Sequence, residues 1–475
     1  MLTRLLRTQR IREAVELWAG LLVIVALNLF LRGILEHGES GVRAYLLGRV
    51  DLDPVLQAAP WRLLLPLQEL NDGAWGTTGF VLLFFLEKYV GPGITYLIFN
   101  ALLIIVVFWT SWFAFHSRIF SFTLALCIGF STFNYHIYSV PGSNVIYPHL
   151  MFLAILMLSH FKVVQAEHIV SWWGALSLVA LICYALSYEG WIAYSVFVVL
   201  AGLVSGVTLW RLHQYSRVRC TVLVMFQTVV ATGLYVLVRT RVPTTFRFGS
   251  EADLILNYKN LAPAADDFIS NFFTYFYLTV SNLLPPSFGF SYALQHFGHI
   301  GDREVGRLIG DYHSAFHYLV YPNYLFMWRY YAGVMATVFA YILVRMIRSA
   351  LRTGSLSAMG VAVFMLLAIT TSPGHLLIKF RPYNAIPFLS YKTPSSVLGL
   401  YCLVAFLAMT FAKRFEHRRR EVWLGVGALW GYVVYLGLAR PRILTLMSMQ
   451  TQMGVYPDPA RTLAGWLRSF LRLIY

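Results

Sequence analysis

Runs of about twenty apolar residues recur along this chain, and they constrain its fold more than any other feature. A helix of that length crosses the hydrocarbon core of a bilayer, where the backbone must satisfy its hydrogen bonds internally. We therefore predict an all-α polytopic membrane protein with about eleven transmembrane helices. The predicted spans lie near 14–35, 94–115, 119–138, 144–161, 169–187, 190–210, 220–239, 328–346, 356–372, 394–412 and 422–439.

The composition excludes the other broad classes of protein. Apolar residues make up 58% of the chain and charged residues 12%, whereas a soluble domain has about 45–50% and about 25%. These values exclude a soluble globular enzyme and a disordered chain. The net charge of +16 arises mainly from residues between the apolar runs. We interpret these cations as topology signals and expect no nucleic-acid partner.

Lysine and arginine residues mark the loops that face the cytoplasm. The tail 1–13 is basic, and the short turns at 138–144 and 187–190 contain no Lys or Arg. If the tail 1–13 is cytoplasmic, successive spans cross the membrane in alternating directions, and all the basic turns then lie on the cytoplasmic side. We therefore predict a cytoplasmic amino terminus. The cations of these turns are Arg118, Lys162, Arg211, Arg217, Arg219, Arg345, Arg348, Arg352, Lys413, Arg414, Arg418, Arg419 and Arg420.

The predicted transmembrane domain, 14–439, includes two long outside loops, 36–93 and 241–327. It is followed by an outside tail, 440–475, with a possible amphipathic helix at 460–474. Five arginines lie in this tail, although basic residues normally concentrate on the cytoplasmic side. An even number of spans, which would put the tail in the cytoplasm, is therefore the alternative. The five arginines are Arg440, Arg442, Arg461, Arg468 and Arg472.

Two stretches of the first loop, 54–70 and 77–90, are apolar but do not qualify as spans. The first contains Pro60 and Pro66, and the second is short and contains Glu87. We predict that both form helices lying at the membrane interface.

The first outside loop is acidic. It carries seven Asp or Glu residues against four Lys or Arg residues. A carboxylate beside a membrane cavity can deprotonate a hydroxyl or hold a divalent ion. The other interpretation is a solvated loop whose acids have no chemical role. The candidate acids are Glu39, Asp51 and Asp53, and Arg43 of the same loop is a candidate for substrate binding.

A second candidate group surrounds the segment HLLIKFRPYNAIP, on the predicted outer side. His375, Lys379 and Arg381 could hold the phosphate of a lipid-linked substrate, since arginine offers planar bidentate donors. Snorkelling of long basic side chains to the interface is the alternative. Glu189, in the turn SYEGW, is either a cavity-facing acid or a water-facing turn residue.

The turn YHIYSVPGSNVIYPH alternates polar and aromatic side chains. Such a pattern suits sugar binding, but it is also typical of the interfacial belt of aromatic residues, which we favour here. His149 closes this segment. The chain lacks GxxxxGK[ST], HExxH and GxSxG, which disfavours a P-loop motor, a zinc protease and a serine hydrolase.

The strings GESGVRAYLLGRVDLDP, PWRLLLPLQEL and RPYNAIP, in this layout, resemble the GT-C glycosyltransferases. The closest branch in plan contains the protein O-mannosyltransferases and aminoarabinose transferases. The resemblance implies a cytoplasmic amino terminus, a location in a bacterial inner membrane, and an essential acid in the first outside loop. This family usually has an Asp, often an Asp-Glu pair, soon after the first span.

The chain departs from that pattern, because Gly38-Glu39 stands at the nearest position. Either Glu39 replaces the family's Asp, or Asp51 or Asp53 takes the role, or the chemistry is changed. The expected function is transfer of a sugar from a polyprenyl-phosphate donor to a hydroxyl of a glycan, lipid or protein acceptor. A divalent cation is a possible cofactor. The alternatives are a glycan polymerase or ligase using lipid-pyrophosphate donors, a transporter, and a non-catalytic subunit of an envelope assembly.

Overall fold

A computed structural model describes the chain in four main stretches. These are 2–32, 92–131, 146–241 without 167, 169 and 188–190, and 394–449, together with single helical positions between 334 and 348. All regular secondary structure in these stretches is α-helical. The helices are α1 (Leu2–Arg32), α2 (Pro92–Phe115), α3 (Arg118–Gly129), α4 (Ile146–Ala166), α5 (Trp172–Ser187), α6 (Trp191–Arg211), α7 (Tyr215–Arg241), α8 (Pro394–Arg414) and α9 (Arg419–Met449).

Five of the described helices are long and apolar enough to cross a membrane: α1, α2, α4, α7 and α8. Many of their apolar side chains face outward, as Val23 and Phe226 do, which is the arrangement expected when lipid surrounds the helices. The prediction of an all-α membrane protein with several spans is thus confirmed for this part of the chain. The count of about eleven spans stays a prediction.

Helix α3 is shorter than the span predicted at 119–138. Ser117 caps its start by accepting a hydrogen bond from the backbone N–H of Phe120. Its last carbonyl, that of Gly129, accepts a hydrogen bond from the side chain of Asn28. The last carbonyls of a helix have no backbone N–H partner within the helix. Because the Asn28 side chain supplies a donor to the Gly129 carbonyl, the helix can end at this residue. Helix α9, in contrast, continues to Met449, past the predicted end of its span at 439.

Helix α3 lies at the centre of the packing, in contact with α1, α2, α8 and α9. Two side-chain hydrogen bonds fix it to the last two helices. The Tyr401 hydroxyl donates to Ser131 Oγ at 2.8 Å, and Trp430 Nε1 donates to Thr123 Oγ1 at 2.9 Å. Because Tyr401 is near the start of α8 and Ser131 follows the end of α3, these two helices are antiparallel.

These contacts define two ends of the bundle. The end named here the basic end contains the ion pair of Arg118 with Glu16, at 2.8 Å. A ring contact at 6.0 Å between Phe115 and Phe161 places the last turn of α4 at this end too. The antiparallel course of α8 brings its last residue, Arg414, to the same end. The basic end thus includes the turns 116–117, 167–171 and 415–418, and we call the opposite end the distal end.

Candidate functional site

The eight site residues predicted from the sequence lie outside the described residues. They are Glu39, Arg43, Asp51, Asp53, Glu189, His375, Lys379 and Arg381. Their roles stay predictions. Within the described stretches, no group of three or more His, Cys, Asp or Glu side chains is placed to hold a metal ion.

Two buried histidines and two buried tyrosines form a different cluster inside the bundle, which we call the histidine–tyrosine cluster. It consists of His149 and His160 on α4, Tyr184 on α5 and Tyr194 on α6. The two histidines are eleven positions apart, which is about three helical turns and puts them on one face of α4. That face is covered by the tyrosines of the next two helices.

The four rings are in continuous contact. His149 stacks on Tyr184 with ring centroids 4.3 Å apart. Tyr184 meets Tyr194 edge to face at 5.4 Å. The Tyr194 hydroxyl and His160 Nδ1 are hydrogen-bonded at 3.0 Å. The cluster therefore joins three helices through aromatic contacts and a buried polar pair.

His160 retains a second ring nitrogen that is buried. Its Nε2 has no hydrogen-bond partner among the residues that the structure describes. A buried polar atom without a partner costs about 1–3 kcal/mol, so native proteins rarely keep one without a compensating role. In a membrane interior, a histidine is a functional candidate by default. The cluster offers an imidazole and a phenol that can exchange a proton or bind a polar group.

A second buried polar contact, here named the asparagine clamp, joins α1, α2 and α3. Asn28 Nδ2 donates to the Gly129 carbonyl, and Asn100 Nδ2 donates to Asn28 Oδ1. Both asparagines are completely buried. Interhelical amide hydrogen bonds of this kind stabilise helix packing in membranes. We interpret the clamp as structural, because each of its members holds a neighbouring helix.

Sequence reasoning found this region only in part. The sequence pattern places His149 in an outside turn rich in aromatic residues, but it lies in the first turns of α4 and is completely buried. His160 was missed, although it is a lone ionisable residue within the apolar run ILMLSHF. A single ionisable residue in an apolar run is the sequence feature that could have identified His160 as a candidate. Tyr184 and Tyr194 resemble ordinary apolar-span residues, and nothing in the pattern distinguishes them.

The described helices and their buried polar contacts are those of an α-helical multi-pass membrane protein. Comparison with protein-family models, with curated proteins and with solved structures gives no match to this chain.

Proposed function

We propose that this chain is an integral-membrane glycosyltransferase that uses a polyprenyl-phosphate sugar as donor. The acceptor is a hydroxyl of a glycan, lipid or protein on the extracytoplasmic side. The proposal rests on the resemblance of the layout and its short motifs to the GT-C enzymes. Its catalytic acid is one of Glu39, Asp51 and Asp53.

One structural observation supports this proposal: the described helices border the candidate segments at the distal end. Helix α1 ends at Arg32 and α2 begins at Pro92 at this end, on either side of the acidic loop. Helix α8 also begins there, at Pro394, after the segment with Arg381. The segments that contain the acids and Arg381 therefore connect along the chain to described helices whose ends lie at the distal end. An active site composed of both groups requires this topology.

The proposed chemistry needs a base and an anion-binding group on that side. The carboxylate removes the proton from the acceptor hydroxyl, which attacks the sugar carbon and displaces the lipid phosphate. Arg381 stabilises the departing phosphate, and its planar guanidinium can bind two oxygens at once. Such charge stabilisation is often the largest catalytic contribution, on the order of 3 kcal/mol per donor.

The proposal is tested by transfer activity of purified variants with matched thermal stability. We expect Glu39→Ala, Asp51→Ala or Asp53→Ala to abolish sugar transfer, and Glu416→Gln, at the basic end, to retain it. If all three alanine variants transfer sugar at the wild-type rate, the base assignment fails. The polymerase or ligase alternative would then be favoured, because such enzymes depend on arginine and histidine.

Arg381 gives an independent test of phosphate binding. We expect Arg381→Lys to lose most of the activity although the charge is kept, because a lysine cannot bind two oxygens in a plane. Arg219→Lys, on an exposed position of α7, is the matched control and should behave as the wild type. Wild-type activity in Arg381→Lys would indicate interfacial snorkelling instead.

The histidine–tyrosine cluster favours a second candidate function, a proton-coupled transporter. Transporters carry ionisable residues inside their spans, and His160 has this position. In this case His160→Phe would abolish substrate uptake into proteoliposomes, whereas Glu39, Asp51 and Asp53 would be dispensable. Sugar transfer without any uptake activity would exclude this alternative.

A further inference from the structure

The cations of the basic end differ in how they are neutralised. Arg118 lies within 4 Å of two carboxylates, those of Glu13 and Glu16. Arg12 also pairs with Glu16, at 3.1 Å. The charges of Arg12 and Arg118 are thus balanced by Glu13 and Glu16.

The turn between α8 and α9 contains more positive than negative side chains. Five Lys or Arg residues lie within 413–421, together with two acids, Glu416 and Glu421. Arg418 pairs with Glu421 at 3.2 Å. The other four cations have no acidic partner among the described residues, and all four are exposed; they are Lys413, Arg414, Arg419 and Arg420. This turn therefore presents an excess of positive charge to its surroundings.

Exposed apolar side chains flank these cations on both helices. Phe411 on α8 is 41% exposed, and Trp423 and Leu424 on α9 are 57% and 67% exposed. Each lies within about one helical turn of a free cation. Aromatic side chains beside basic residues are typical of the membrane interface, where the ring contacts acyl chains and the cation contacts headgroups.

We propose that the α8–α9 turn is a binding surface for anionic phospholipid. The phosphate of the headgroup pairs with the exposed cations, and the upper acyl chain packs against Phe411, Trp423 and Leu424. Charge complementarity favours this occupant, because clustered Lys and Arg side chains attract the anionic headgroups of a leaflet. The exposed apolar side chains distinguish a lipid from a soluble anion, because a soluble anion has no acyl chain to pack against them. This inference is independent of the proposed function.

Native mass spectrometry of the purified full-length protein tests the proposal. The protein is titrated with phosphatidylglycerol and, separately, with phosphatidylcholine, and the retained lipid is counted. We expect preferential retention of phosphatidylglycerol by the wild type. The double variant Arg419→Gln/Arg420→Gln should bind it about thirtyfold more weakly, which corresponds to about 1 kcal/mol for each of the two charges removed. The matched control is Arg211→Gln/Arg219→Gln, which removes two exposed cations from the α6–α7 turn and should bind as the wild type.

Two further measurements separate the possible occupants. Trp423→Ala/Leu424→Ala should also weaken phosphatidylglycerol binding, because the acyl contact is lost while the charges stay. Excess inorganic phosphate should not displace the lipid. Displacement by phosphate, or unchanged lipid binding in Trp423→Ala/Leu424→Ala, would overturn the proposal in favour of a soluble anion. Equal loss in Arg419→Gln/Arg420→Gln and its control would also overturn it, by showing that total charge rather than this turn sets the binding. All these positions are exposed, and unchanged melting temperatures will confirm that the variants are folded.

Discussion

Arg118 Nη1 lies 2.8 Å from Glu16 Oε2, which joins the first residue of α3 to the amino-terminal half of α1. The two residues are separated by 102 positions, so the contact fixes the relative direction of two helices that are distant in sequence. Since α1 and α3 also meet at the Asn28–Gly129 hydrogen bond, they run parallel. The amino-terminal part of α1 and the turn at 116–117 therefore lie at the same end.

This arrangement predicts the labelling of substituted cysteines in intact cells. His168→Cys and His417→Cys, two exposed positions of the basic end, should react with membrane-impermeant maleimide only after the cytoplasmic side is opened. Ser40→Cys should react without opening. Native background is low, because Cys127, Cys220 and Cys402 are buried, and the half-buried Cys183 can be replaced by Ala. Labelling of Ser40→Cys from the cytoplasm alone would show that the orientation is reversed.

The asparagine clamp should contribute measurably to stability. Asn28→Leu removes the bonds to both Gly129 and Asn100, and we expect a loss of about 1 kcal/mol in the free energy of unfolding. Reversible unfolding in mixed SDS micelles measures this change. Thr228→Val is the control, because the Thr228 hydroxyl bonds only to the Val224 carbonyl of its own helix among the contacts described. Equal effects of both substitutions would show that the clamp adds nothing specific.

Two glycines of α9 should respond oppositely to alanine. A Cβ at Gly437 would lie 2.6 Å from Phe130 Cβ and 2.8 Å from the Phe130 carbonyl oxygen, so Gly437→Ala must displace α9 from α3. We expect destabilisation of about 1–3 kcal/mol. Gly431 has open space at the same place, and Gly431→Ala should be neutral or stabilising by up to about 1 kcal/mol. A stable Gly437→Ala protein would mean that this close packing is absent.

The turn between α6 and α7 contains a strained backbone position. His213 has φ 57°, a left-handed conformation that costs most L-residues about 1–2 kcal/mol and glycine almost nothing. His213→Gly and His213→Ala both remove the hydrogen bond between His213 Nδ1 and the Tyr215 hydroxyl, which are 3.1 Å apart. The glycine variant should nevertheless unfold at a higher temperature than the alanine variant. The reverse order would contradict the left-handed conformation.

Tyr194→Phe isolates the hydrogen bond of the histidine–tyrosine cluster. The substitution removes the hydroxyl next to His160 Nδ1 and keeps the ring contact with Tyr184. We expect a loss of about 1 kcal/mol in stability. Transfer and uptake assays on the same variant show whether the cluster also acts in function. A loss of activity larger than the loss of stability explains would indicate a functional role, whereas unchanged stability would refute the hydrogen bond.

The sequence predicted the helices well where apolar runs are long, as in α2 and α8. It did so because a spanning helix has one dominant requirement, an unbroken apolar stretch of about twenty residues. It failed at the end of α3, where the stop depends on a hydrogen bond from Asn28, distant in sequence. The hydrogen bond between His160 and Tyr194 could not be predicted from the sequence either, because no local pattern shows which helices pack against each other.

The short helix α3 has a consequence for how the protein is made. Its 12 residues rise about 18 Å, too little to cross a bilayer alone. Its contacts with Tyr401 and Trp430 come from helices synthesised about 270 and 307 residues later. A nascent chain that stops before residue 394 lacks both hydrogen bonds, so we expect α3 to reach its final packing only after α8 and α9 have been made. Premature termination products are therefore expected to be recognised and degraded by membrane quality control.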